Sequence, residues 1–105
     1  MYKVEPSERA YMAIAEIDEY MSTFADADTV VKVIRRIQQA IIELADMPSR
    51  HRRYLPLISG KPTIRYAHAG AFLVYFTIEE ETKTVSILDV QHARRDPASV
   101  RDRLQ

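Results

Sequence analysis

Thr63-Ile64-Arg65-Tyr66-Ala67-His68, Ala71-Phe72-Leu73-Val74-Tyr75-Phe76-Thr77-Ile78 and Thr84-Val85-Ser86-Ile87-Leu88-Asp89-Val90 are consecutive runs dominated by β-branched and aromatic residues. Such side chains suit a pleated, half-buried surface. Ala69-Gly70 separates the first two runs and polar residues 79–83 the last two, so a three-stranded antiparallel meander is predicted. Alternation along the middle strand puts Phe72, Val74, Phe76 and Ile78 on one face and Leu73, Tyr75 and Thr77 on the other. One face is apolar enough to require a cover. The second is expected to stay partly bare, a surface that favours a partner.

The cover lies upstream. In Val30, Val33, Ile34, Ile37, Ile41 and Leu44, apolar residues recur at helical steps, and Pro48 ends the pattern. Ala10, Ile14, Ile17 and Met21 mark an earlier amphipathic helix over roughly residues 8–23, with Ser7 as its N-cap. About five residues, including Asp26 and Asp28 as capping candidates, connect the two, so they should form an antiparallel hairpin. Met12 falls on the polar side of the first helix and is a candidate partner contact. Before it, Tyr2 and Val4 form a short alternating strand that Pro6 ends.

Residues 48–62 carry three prolines and a glycine and read as an irregular segment, tacked to the core by Leu55, Leu57 and Ile58. Its Arg50-His51-Arg52-Arg53 run is the densest basic cluster of the chain. Beyond the meander, Pro97 to Leu104 suggest a short terminal helix with proline in its first turn and Asp96 as its cap. The fold class is α+β, in the order β-α-α-β-β-β with an antiparallel sheet packed by a two-helix hairpin, and residues 1–105 are expected to form a single domain.

Cysteine is absent, so a disulfide framework and a cysteine zinc site are excluded. No apolar run approaches the ~18 residues of a membrane span, and the charged start does not read as a signal peptide; a cytoplasmic location is expected. Net charge is formally zero but polarised. Residues 1–48 hold 5 Lys/Arg against 9 Asp/Glu, while residues 49–105 hold 10 against 6, and eleven of the fifteen bases are arginine. Arginine suits bidentate contact with carboxylate or phosphate.

The opening Met1-Tyr2-Lys3-Val4-Glu5-Pro6-Ser7, Ile64-Arg65-Tyr66, the Gly70…Val74-Tyr75-Phe76 strand and Val85…Gln91-His92…Arg94-Arg95-Asp96-Pro97 together resemble the RelE/ParE superfamily of bacterial type II toxins across nearly the whole chain. The resemblance implies a small growth-arresting toxin encoded beside an antitoxin that neutralises it in a hetero-oligomer, as in plasmid stabilisation systems. It implies one of two mechanisms, because fold alone does not fix function. RelE-like members cut messenger RNA in the ribosome; ParE-like members inhibit DNA gyrase and are not nucleases.

Cleavage by a 2′-hydroxyl needs a base, a cationic clamp and an acid. Here Arg65, His92 and Arg94 are the nuclease candidates, with His68 as a second proton carrier. Against this, Leu73 stands where the family's nucleases commonly carry an arginine, and a pI near 6.8 suits a ribosomal RNA partner poorly. The ParE-like reading is therefore preferred; a ribonuclease, or a non-toxic relative that only binds its antitoxin, is the alternative. In the preferred reading Arg65, His92, Arg94 and Arg95 meet the target, while Met12, Arg50, Arg52, Arg53, Leu73 and Tyr75 meet the antitoxin. Arg65 has a purely structural role open to it, pairing with Asp89 or Asp96. Direct sequence-specific DNA binding is not expected of this chain, nor a cofactor, and its separated histidines lack acidic partners at metal-ligand spacing.

Overall fold

A computed structural model describes residues 1–54, 57, 59–95 and 97–104, with the side chains of residues 97–99 outside that description. The order is β1 (Lys3–Pro6), α1 (Glu8–Met21), α2 (Ala27–Glu43), a 3-10 turn (Pro48–Arg50), β2 (Arg52–Arg53), β3 (Arg65–Ala69), β4 (Phe72–Glu79), β5 (Thr84–His92) and α3 (Pro97–Leu104). It is an α+β fold with the meander, hairpin and terminal helix in the expected places.

The sheet has five strands in the order β1-β5-β4-β3-β2. β3, β4 and β5 form the antiparallel meander, and β1 joins the far side of β5 in parallel, which makes the sheet mixed. The fifth strand lies in the segment read as irregular: Arg52 pairs with Tyr66 and Arg53 with Arg65. Two arginines carry no strand propensity worth reading; the β3 edge imposes the extended conformation on them. In the same segment Leu57 is 51% exposed and is no anchor, while Leu55 and Ile58 lie outside the described residues.

Local signals explain the helix boundaries. The Ser7 hydroxyl accepts the Ala10 N–H at 3.0 Å and the Asp26 carboxylate accepts the Thr29 N–H at 2.8 Å, each satisfying an amide that the first turn leaves without a partner. Met47 turns the chain left-handed at φ 46° just before Pro48. Between β3 and β4 the backbone reverses at Gly70 with φ 63°, a conformation that glycine adopts without steric cost. The aliphatic stem of Arg36 on α2 lies close over that turn.

The hairpin covers one sheet face. Ala10 and Ala13 of α1 and Ile37, Ala40, Ile41 and Leu44 at α2 pack on Ala67, Ala69, Val74, Phe76, Val85, Ile87 and Val90. Alanine on the first helix lets it approach the sheet closely, and burial of the larger apolar groups drives the packing.

Candidate functional site

The register between β4 and β5 decides what the other face carries. Phe76 pairs with Ile87 but Tyr75 pairs with Asp89, so Leu88 is an extra residue, a β-bulge. Past it, Val90 turns toward the helices and Asp89 and Gln91 join Tyr75 and Leu73 on the opposite face.

That face is not bare at Tyr75, as alternation had suggested. Tyr75 is 2% exposed, because the rings of Tyr54 and Tyr66 close on it edge-on and tilted, at 5.5 and 6.2 Å between centroids. Burial pushes its phenol up to about 12. Leu73 is half-buried beside it.

Asp89 is fully buried. Its Oδ1 accepts the Val90 N–H at 2.8 Å and its Oδ2 the Gln91 amide at 2.7 Å. Arg103 of α3 grips both oxygens, with Nη2 at 3.2 Å and Nε at 3.1 Å, and Arg9 of α1 approaches to 3.8 Å. Burial pushes this carboxyl up, while the Gln91 amide, the Val90 N–H and the Arg9 and Arg95 guanidinium groups pull it down. The Arg103 fork adds to that pull, and a donor set this dense fits an ionised carboxylate. The pairing of Asp89 with Arg65 considered from the sequence does not occur. Arg65 sits opposite Phe76 on the helix-covered face and donates instead to the His51 carbonyl at 2.7 Å. Asp96, its other possible partner and the expected cap of α3, lies outside the described residues.

The residues expected to meet the target fall into two groups. Arg65 pairs with Phe76 and His92 with Phe72, four residues along β4, or about 13 Å at the rise of a strand. His92 closes β5, its ring edge-on to Phe72 at 5.3 Å. Its Nδ1 accepts the Arg94 N–H at 3.0 Å and its carbonyl the Arg95 N–H at 3.0 Å, which folds Arg94 and Arg95 back across the strand end. An accepting Nδ1 places the proton of a neutral imidazole on Nε2. His68, the second candidate proton carrier, is exposed on the opposite face and meets the Tyr66 ring edge-on at 5.8 Å.

Arg65 belongs to the other basic cluster, with Arg50, Arg52 and Arg53 around His51. Burial, then Arg50 and Arg65, holds the His51 imidazole below its ordinary range. Of the residues read as facing an antitoxin, Arg50, Arg52 and Arg53 are exposed at this edge, Met12 is 49% exposed on α1, Leu73 is half-buried and Tyr75 is buried.

A cavity of about 760 Å³ opens at the His92 end, between the helix hairpin and the β3–β4 turn. Lys32 and Arg36 of α2, Arg95 and Arg103 bring positive charge to an apolar wall that includes Phe24 and Phe72. Lys32, Arg36 and Gln91 belong to none of the motifs that mark the other candidate residues. The spacing of the two bases carried a signal: i and i+4 stand on one helix face and repel each other, an arrangement that suits an anionic neighbour.

A family model described as the ParE toxin of a type II toxin–antitoxin system, parDE, matches residues 4–97. The chain belongs to the ParE toxin family. No curated protein sequence matches this family member, whereas solved structures do. The chromosomal ParDE toxin–antitoxin system from P. aeruginosa matches with a TM-score of 0.70 at 14% identity, covering 88% of this chain and 96% of that one. The RelBE2 toxin–antitoxin complex from Mycobacterium tuberculosis gives 0.62 at 17% identity, covering 87% and 96%. The isolated E. coli RelE toxin gives 0.58 at 13% identity, covering 97% and 95%. At these identities the structures speak for the fold. Among the described residues no helix is long and apolar enough to cross a membrane.

Proposed function

We propose that this ParE-family chain is a toxin that acts by binding rather than by cutting RNA, with DNA gyrase as its target and a cognate antitoxin as its inhibitor. The observation that carries this reading is the separation of the would-be catalytic set. A phosphoryl-transfer site needs its base and its cations within reach of one reacting phosphate, and Arg65 on β3 and His92 on β5 lie on opposite sides of β4, offset by about 13 Å along it. His92 Nδ1 is engaged by the Arg94 N–H, and Leu73 offers no cation at the strand position where a nuclease would want one. Exposed Arg94 and Arg95 at the β5 end remain well placed to grip an acidic protein surface, a use of arginine that asks only for position.

The experiment is purified chain added to DNA gyrase with relaxed plasmid and, in parallel, to ribosomes programmed with messenger RNA. The reading expects loss of supercoiling, or trapped cleaved DNA, with the messenger intact. Cuts in the messenger at codon positions with gyrase unaffected, abolished by His92→Ala, would replace it with the ribonuclease reading. The antitoxin half is tested separately, by co-purification with the product of the adjacent gene, expected to have a DNA-binding start and an acidic, amphipathic end.

A further inference from the structure

The buried Asp89 carboxylate has no lone pair left to offer. Its Oδ1 accepts the Val90 N–H at 2.8 Å and Arg103 Nη2 at 3.2 Å, while its Oδ2 accepts the Gln91 amide at 2.7 Å and faces Arg103 Nε at 3.1 Å. A carboxylate presents about four acceptor sites, and these donors fill them. Among the described residues, the buried side-chain polar atoms without a hydrogen-bond partner are Arg9 Nε and Gln91 Oε1. Both belong to residues that border this one carboxylate.

Arg9 is the residue excluded by that saturation. It is the second residue of α1, where the positive end of the helix dipole disfavours a cation unless an anion lies near. Its Nη2 meets Glu16 at 3.4 Å and its Nε stops 3.8 Å from Asp89 Oδ1. That distance is too long for a hydrogen bond, yet a small side-chain shift closes it. A buried N–H left without an acceptor is costly, and Arg103 holds the acceptor that Arg9 lacks.

Arg103 itself arrives on a slight element. α3 has 8 residues, too few to persist as a helix without tertiary packing. Of its described side chains Val100 is buried, Arg103 and Leu104 are half-buried, and Arg101 and Asp102 are exposed.

We propose that Arg9 and Arg103 alternate on Asp89, which makes α3 a releasable latch: when α3 lifts from β5, Arg9 Nε takes the Oδ1 site that Arg103 leaves. Removing one partner of a buried ion pair ordinarily strands a charge, and that cost would clamp α3 to the sheet. A standby cation on α1 offsets it, so the docked and released states keep the same charge balance at Asp89. The released state is then a minor conformer within reach of the docked one. Arg94 and Arg95 lie between His92, the end of β5, and Pro97, the start of α3. Docking of α3 therefore fixes both ends of the connection that carries these two exposed arginines, and release frees one end. The exchange on Asp89 does not depend on the toxin reading above.

The test is native-state amide hydrogen exchange on the whole chain, as wild type, Arg9→Met, Arg103→Ala and the double variant. Arg9→Met removes the standby donor and leaves every docked contact of Arg103 in place, so the α3 amides should exchange about tenfold more slowly than in wild type. Arg103→Ala should strip protection from α3 while the β4 and β5 amides keep theirs. In the same variant the Arg9 Nε–H, followed by nitrogen-15 NMR, should change from an unbonded to a hydrogen-bonded signal. The double variant should lose β5 protection by more than the two single changes together, because Asp89 then has neither cation. A purely structural Arg9 produces none of these couplings. Unchanged or faster α3 exchange in Arg9→Met, additive effects in the double variant, or an Arg9 Nε–H that stays unbonded overturns the latch. If Arg103→Ala does not fold, the Arg9→Met comparison decides by itself.

Discussion

The two faces of the sheet are stabilised by different physics. Toward the helices, Val74, Phe76, Val85, Ile87 and Val90 meet a stripe of Ile, Leu and Ala, where attraction is non-directional and grows with apolar area. On the opposite face a buried carboxylate, an amide, two guanidinium groups and three tyrosine rings do the holding, and each contact depends on direction and on a partner. The first arrangement tolerates change of shape in proportion to the volume lost. The second fails when one partner is removed, because a buried charge is left alone. It is also the face that orients Gln91 and ties α3 to β5 through Asp89.

Removing one partner from each face gives the largest effects. Phe76→Ala should cost about 3–5 kcal/mol in denaturant unfolding, and Asp89→Ala about 3–5 kcal/mol. They differ in rescue: Arg103→Leu added to Asp89→Ala should recover part of the loss, since a side chain of the apolar kind replaces a stranded charge, whereas no polar deletion recovers Phe76→Ala. Strict additivity of the Asp89 and Arg103 changes would show that the two faces obey the same rule. Next, Ser7→Ala and Asp26→Ala should each lower stability by about 1 kcal/mol through the lost helix cap.

The titration behaviour sharpens the contrast further. Tyr75 has its folded pKa raised to about 12, so the unfolded chain releases the proton first and stability should fall as pH rises from about 10 toward 12. Spectroscopic titration should find a phenol ionising near 12 that Tyr75→Phe removes. His51 has its folded pKa lowered, so the unfolded chain takes up the proton first. Stability should fall as pH drops through the ordinary histidine range, less steeply in His51→Gln. The smallest effect belongs to Met12, exposed on α1: Met12→Ser should leave unfolding within about 0.5 kcal/mol of wild type.

The same contrast explains what could be read from the sequence. The helix-covered face was legible because its signal is periodic. The α2 stripe and the alternation of β4 repeat often enough to survive irregularities, and Ser7 and Asp26 are local caps. The opposite face turns on a single inserted residue. Strict alternation would place Asp89 with Ile87, and only the bulge at Leu88 puts it beside Tyr75. β2 was illegible for a related reason, since Arg52 and Arg53 become a strand only by pairing with β3. His92, Arg94 and Arg95 were marked by the closing motif, and the structure sets them together at the β5 end. Arg65 was marked with them but is drawn away to His51 by its register. Gln91, Lys32 and Arg36 meet at one cavity from two elements distant in sequence, and no local pattern announces such a convergence.

The central claim is that the β5 end acts as a binding surface and that Arg65 and His92 do not form one catalytic unit. The most direct measurement is gyrase supercoiling by wild type, by the Arg94→Ala, Arg95→Ala double variant, by Arg65→Ala and by His92→Ala, each checked for a wild-type melting profile. The account predicts that the double variant loses inhibition, while Arg65→Ala and His92→Ala retain most of it. Equal loss of activity in Arg65→Ala and His92→Ala, accompanied by messenger cleavage in the wild type, would contradict it.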